Sequence, residues 1–174
     1  MSPVNGVRWF VTAVLLASCG RAPDLHVHGV AVYVETTAPF AQRGDLETRL
    51  ESTVQAALDY WQGSWTDVAG RTITLDGGTH VACEGNASAI GCYDGNIRVS
   101  TNDVGAGTFS CVEQTVLVHE IGHAVIGDPL HQDPRWMEMD ALADALAGRT
   151  GYDAEGEVPC VIFVSVWRHP LGRP

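Results

Sequence analysis

The sequence predicts a single α+β domain in which a small twisted, mostly antiparallel sheet packs against long helices. Three observations predict it. Leu46, Leu50, Val54, Leu58 and Trp61 recur at helical spacing between Asp45 and Gln62, giving an amphipathic helix with one apolar stripe. From His26 to Glu35 valines alternate with other residues, the period of a half-buried strand. Val112 to Ile126 is a second apolar helix, and short β-prone runs between the two helices supply the remaining strands. At 174 residues and 45% apolar content, the chain can bury a core of its own.

Taken in order, Arg8 precedes an apolar run from Trp9 to Ala17, too short to span a bilayer and suited to the core of a secretory signal. The run ends in Leu16-Ala17-Ser18-Cys19. These four residues resemble the lipobox of bacterial lipoproteins. The resemblance implies a signal peptide over 1–18, lipidation at Cys19 and a short tether over 19–25. It further implies a lipid anchor in the bacterial cell envelope, at the outer membrane, since Gly20 rather than an acid follows the cysteine. The folded domain is then expected over 26–174. Within it, Arg71–Leu75, the stretch around Val81 and Ile97–Ser100 are further strand candidates, with a turn at Asp94-Gly95-Asn96. Residues 103–110 read as loop, Met139–Ala147 as a third helix stopped by Gly148, and Val161–Val166 as a last strand or extended tail.

The charge excludes one class of function. With 10 basic and 21 acidic side chains the net charge is -11, which repels nucleic acid and anionic lipid headgroups alike. Nucleic acid is therefore not expected as a partner, and a monomer is.

The chemistry concentrates in one segment. His119-Glu120-Ile121-Gly122-His123 falls inside the second helix. Histidines at i and i+4 share a helix face and can reach one metal ion. Zinc takes nitrogen ligands in a tetrahedral site and leaves a position for water. Glu120, beside the first ligand, is placed to take a proton from that water and pass it to a leaving amine. A pair of surface histidines on an ordinary helix is the plainer reading. The apolar flanks Val116, Leu117, Ile121, Ala124 and Val125 count against it.

From His119 the chain continues to Gly127, Asp128 and His131, then to Asp133-Pro134 and Trp136-Met137-Glu138-Met139. This segment of about 20 residues resembles the metzincin zinc metalloproteases, the matrixin branch included. The resemblance implies a zincin-like α+β fold with two long helices, an active-site helix and a methionine turn below the metal. It also implies Zn2+ held by His119, His123 and His131, Glu120 as general base, Met137 as the methionine turn with Met139 close behind it, and a protein or peptide substrate. Gly127 comes one residue and His131 two residues later than the family spacing. Asp128, or an acid of the following segment (Glu138, Asp140 or Asp144), is the rival third ligand. Cys19 to Asp24 also resembles the matrixin cysteine switch, but it is one residue too long and its cysteine is the one expected to be acylated.

Four cysteines remain after Cys19: Cys83, Cys92, Cys111 and Cys160. In an exported protein they suggest two disulfides, for which three pairings exist. A short staple Cys83–Cys92 with Cys111–Cys160 is the favoured one. His26 and His28 alternate on one strand face, which more often means exposure near a terminus than a metal site. Asp94, Asn96 and Asp103 offer a structural Ca2+ site, which a turn supplying its own caps explains equally well. The expected activity is zinc-dependent endopeptidase. The alternative is a binding or surface-assembly lipoprotein that keeps the scaffold and the metal without turnover.

Overall fold

The valine-rich run near the N-terminus folds as a hairpin, not as the single strand its alternation suggested. The computed structural model describes residues 20–35, 46–101 and 111–139. In it β1 (Leu25–Val27) pairs antiparallel with β2 (Val30–Val34), Val27 opposite Val30. His28 and Gly29 between them take φ of 48° and 83°, the two-residue turn whose twist matches that of the strands it joins. His28 therefore leaves the strand face it was expected to share with His26. Its ring stacks on Trp65 with centroids 4.2 Å apart and its Nε2 lies 2.7 Å from Glu51 Oε1.

Beyond the hairpin come α1 (Leu46–Trp61), the short α2 (Trp65–Val68) and β3 (Thr72–Asp76). Three short strands follow, β4 (Val81–Cys83), β5 (Asn86–Ala89) and β6 (Gly91–Tyr93), then β7 (Ile97–Ser100) and α3 (Cys111–Ile126). The main sheet runs β1-β2-β3-β7-β6. Its centre is parallel, β2 with β3 and β3 with β7, while β1 and β6 pair antiparallel at its edges. The sheet is thus mixed rather than mostly antiparallel. A strand that returns through a helix, as β3 does after α1, lies parallel to the strand it left. Period-two alternation reports which face is covered and is silent on strand direction.

Register turns the alternation into a core. Val32 lies beside Ile73 and Ile73 beside Ile97; Val34 lies beside Leu75 and Leu75 beside Val99. These residues are buried in one cluster with the expected α1 stripe, Leu46, Leu50, Val54, Leu58 and Trp61, and with Leu117, Val118 and Ile121 of α3. Each such side chain contributes about 1.5–3 kcal/mol of transfer free energy. Trp61 also fastens the two helices, its Nε1 donating to Val118 O at 2.8 Å.

At the far edge, alternation along β6 divides its work. Gly91 and Tyr93 sit opposite Val99 and Ile97, in the rows that face the helices. Cys92 points to the other face and is joined to Cys83 of β4, tying the β4–β5 hairpin to the edge strand. The expected local staple is therefore present. Cys160 and the side chain of Cys111, the expected second bridge, lie outside the described residues.

The start of the domain is earlier than expected. Asp24 N donates to Val32 O at 2.9 Å, Asp24 Oδ2 accepts from Val34 N at 2.7 Å, and Arg21 Nη2 donates to Val34 O at 2.8 Å. Residues 21–25, read as tether, belong to the sheet margin. The signal segment 1–18 and Cys19 lie outside the described residues, as do Asp103, the strand candidate 161–166 and the third helix beyond 139. That helix begins at 135, four residues before its expected start. Among the described residues no helix is long and apolar enough to cross a membrane.

Candidate metal centre

The H-E-x-x-H segment lies on the last turns of α3, and helical geometry brings His119 and His123 together with ring centroids 5.0 Å apart. Gly122 between them is set by packing. A Cβ there would stand 2.5 Å from Trp61 Cε2 and 2.8 Å from Trp136 Cη2, so only glycine lets both indoles approach the helix. The helix then stops. Gly127 takes φ of 63° and its N–H bonds to His123 O at 3.1 Å, a left-handed cap that turns the chain back toward the site.

The returning loop is organised by Asp128. Its Oδ2 accepts from Gln132 N at 2.6 Å, Asp133 N at 2.8 Å and Trp136 Nε1 at 3.0 Å, while Oδ1 accepts from Leu130 N at 3.1 Å. Four donors hold this carboxylate well below the usual carboxylate range, the backbone N–H of Asp133 foremost. Asp128 is thus occupied in shaping the loop and is not turned to the histidines as a ligand. The loop places His131 against the helix pair, its ring centroid 4.8 Å from His119 and 4.9 Å from His123. His131 adopts φ of 54°, a left-handed conformation that costs a non-glycine residue about 1–3 kcal/mol and that its surroundings must hold.

The three histidines are the group that fits a metal among the described residues, with one ligand atom each, all within 4.8 Å of one another. His123 Nδ1 lies 3.1 Å from Asp128 O, so it carries the hydrogen and leaves Nε2 with a free lone pair. That Nε2 stands 3.1 Å from His131 Nε2. Two nitrogens bound tetrahedrally to one zinc stand about 3.3 Å apart, so the donor set, the tautomer of His123 and the spacing all suit a zinc ion.

Electrostatics favour the neutral form of the two helical imidazoles. His119 is pushed down to about 4, by burial first and then by His123 and His131. His123 is lowered by burial and by His131. Glu120, only 6% exposed, is pushed up to about 7 by burial alone. Its carboxylate lies beside β6, where a Cβ on Gly91 would be 2.3 Å from Oε1. Tyr93, two residues along β6, lies roughly parallel to His123 with centroids 6.3 Å apart. The edge strand and the metal face of α3 therefore run together.

Met137, expected beneath the metal, is instead 76% exposed on the helix that starts at 135. Helical spacing turns Trp136 and Met139 inward, each 2% exposed, and leaves Met137 outside. The side chain against the histidines is Trp136, its ring 4.7 Å from His119, 4.8 Å from His123 and 4.4 Å from His131. Asp133 and Arg135 brace this segment on α1. Arg135 Nη2 pairs with Asp133 Oδ2 at 2.7 Å, Arg135 Nη1 donates to Trp61 O at 2.8 Å, and Tyr60 Oη donates to Arg135 O at 2.7 Å. Of the other rival ligands, Glu138 is exposed and Asp140 and Asp144 lie outside the described residues.

The calcium reading loses two of its ligands to the β6–β7 turn. Asp94 Oδ1 accepts from Asn96 N at 3.2 Å and Asp94 Oδ2 pairs with Arg98 at 2.5 Å, while Asn96 Oδ1 accepts from Thr72 N at 3.0 Å. Sequence reasoning missed Trp136, Gly91 and the organising role of Asp128. The usable signal for a close approach was Gly122, because a glycine inside a helix costs about 1 kcal/mol against alanine and marks a packing need. No family model, curated protein or solved structure matches the chain.

Proposed function

We propose that the chain is a metzincin-like zinc endopeptidase, carried on a lipid anchor at the bacterial cell envelope. The observation that carries the proposal is the pairing of three convergent histidines with a nearly buried carboxylate on the helix that carries two of them. A purely structural zinc site needs the ligands and has no use for Glu120. His119, His123 and His131 would hold the ion. When bound, zinc would supply a Lewis acid and an acidified water at neutral pH.

The remaining work falls to the chain. Glu120, held near neutrality by burial, takes a proton from the attacking water and gives it to the departing amine. Its position between α3 and β6 keeps bulk water from that carboxylate. β6 is the edge of the main sheet, and an extended peptide adding along it would lie across the histidines beside Tyr93. The lipid anchor rests on the lipobox resemblance at Cys19.

The test is zinc analysis of the purified protein together with a peptide-library cleavage assay on the wild type and Glu120→Ala. One zinc per chain, and cleavage that falls at least about a hundredfold in Glu120→Ala with zinc retained, is the expected result. Cleavage indifferent to Glu120→Ala would reject proteolysis and favour the non-catalytic binding lipoprotein.

A further inference from the structure

We infer that Trp136 is the positioning residue of the metal centre, a rigid floor that fixes His131 through Asp128. The inference rests on the zinc reading above and names a residue that reading does not use. Two independent features meet at this indole. Its ring stands tilted against all three imidazoles, with centroids 4.4–4.8 Å away, and no other aromatic side chain pairs with all three among the described residues. Its Nε1–H donates at 3.0 Å to Asp128 Oδ2, the oxygen that also gathers the N–H groups of the consecutive residues Gln132 and Asp133. Asp128 O in turn orients His123.

The consequence concerns the long loop. His119 and His123 are placed by α3 itself. His131 is exposed, stands at a left-handed φ of 54°, and follows four irregular residues, 127–130, beyond the end of α3. A loop of that kind has other conformations available, so His131 reaches the site only if something selects this one. Trp136 does so in two ways. Its ring packs tilted against the His131 ring, and it anchors the Asp128 carboxylate to a residue buried in the core. Trp61, packed on Trp136 with centroids 4.4 Å apart, and Gly122, which admits both rings, hold the floor in place.

A positioning role differs from a generally structural one in its dependence on His131. Zinc affinity is to be measured by chelator competition for the wild type, Trp136→Phe, His131→Ala and the double variant, with cobalt(II) absorption reporting the ligand set. Phe keeps a ring in the core and loses the indole N–H. Trp136→Phe should weaken zinc binding roughly tenfold to a hundredfold, the usual effect of removing an outer support of a ligand. In the His131→Ala background the same change should cost almost nothing further, because the residue it positions is already gone. The cobalt spectrum of Trp136→Phe should move toward that of His131→Ala.

Wild-type affinity in Trp136→Phe, or losses that multiply in the double variant, overturns the inference and leaves the metal site standing. A wild-type chain that takes up no zinc overturns the metal reading, and the inference with it. Should Trp136→Phe fail to fold, Asp128→Asn reaches the same link from its acceptor side without touching the core. It should show the same lack of additivity with His131→Ala, and additive losses there overturn the inference equally.

Discussion

Gly91 and Glu120 face each other so closely that a Cβ on the glycine would stand 2.3 Å from the Glu120 Oε1 and 2.6 Å from Val116 Cγ1. The edge strand therefore limits where the carboxylate can go. Gly91→Ala should force Glu120 out of this position while leaving undisturbed the three histidines, two on α3 and His131 on the loop beyond it. The expected outcome is cleavage lowered about tenfold or more with zinc affinity within about twofold of wild type. Peptide kinetics beside a zinc titration check it. A parallel loss of zinc would mean that β6 supports the ligands rather than the carboxylate.

Gly122→Ala tests the packing of the helix on its two tryptophans. Alanine gains about 1 kcal/mol of helix propensity over glycine. Against this, its Cβ would lie 2.5 Å from Trp61 and 2.8 Å from Trp136, both 2% exposed or less, with no open space to move into. Overpacking of this kind costs about 1–3 kcal/mol and exceeds the propensity gain. A lowered Tm in the metal-free protein is expected, and an unchanged or raised Tm would contradict the tight approach.

These two glycines mark the boundary of what the sequence made legible. The α1 stripe from Leu46 to Trp61, the strands at 72–76 and 97–100, the Asp94-Gly95-Asn96 turn and the α3 helix all carry periodicity or turn chemistry, and all are where the pattern puts them. His119 and His123 follow from helix geometry alone. The parallel pairing of β2, β3 and β7 does not, since alternation is blind to direction. The hairpin at His28-Gly29 was hidden by valines on both sides of it. β5 and β6 are short and carry Asn, Ser, Gly and Cys, residues with little strand preference, and depend on the Cys83–Cys92 link and on β7 for their form. Trp136 escaped notice for a different reason. Sequence spacing drew attention to Met137, and one residue of helical phase decides which of the two side chains faces the histidines.

The Cys83–Cys92 bridge closes a short loop, with the two cysteines 9 residues apart in sequence. A loop of that size is worth about 2–3 kcal/mol through the unfolded chain. Because Cys92 stands between Gly91 and Tyr93, losing the bridge should also loosen the strand that faces Glu120. For Cys83→Ser/Cys92→Ser we expect a lower denaturation midpoint and faster amide exchange at 91–93. Exchange at those amides as slow as in wild type would show that β6 is held by β7 without help from the bridge.

The last prediction concerns acid and the metal-free protein, in which His119 and Glu120 pull in opposite directions. His119 is lowered from 6.5 to about 4 in the fold. Between those values the unfolded chain binds the extra proton. The stability that His119 contributes is therefore complete above about pH 6.5 and drains away as pH falls toward 4. Glu120 is raised from 4.5 to about 7. Here the folded state binds the extra proton, so its contribution is complete below about pH 4.5 and is lost as pH rises through 7. The shifts oppose each other across the same window, and between about pH 4.5 and 6.5 the wild type should respond less to acid than either group alone would make it. Glu120→Gln removes one side of this balance. The variant should exceed wild type in stability by on the order of 2 kcal/mol at pH 8, where the wild type must hold a buried charge, and that advantage should shrink toward zero by pH 4.5. Denaturant titrations of both metal-free proteins from pH 4.5 to 8 measure the difference directly. A gap that stays constant with pH would mean that Glu120 titrates normally in the fold and that its carboxylate is not withdrawn from water.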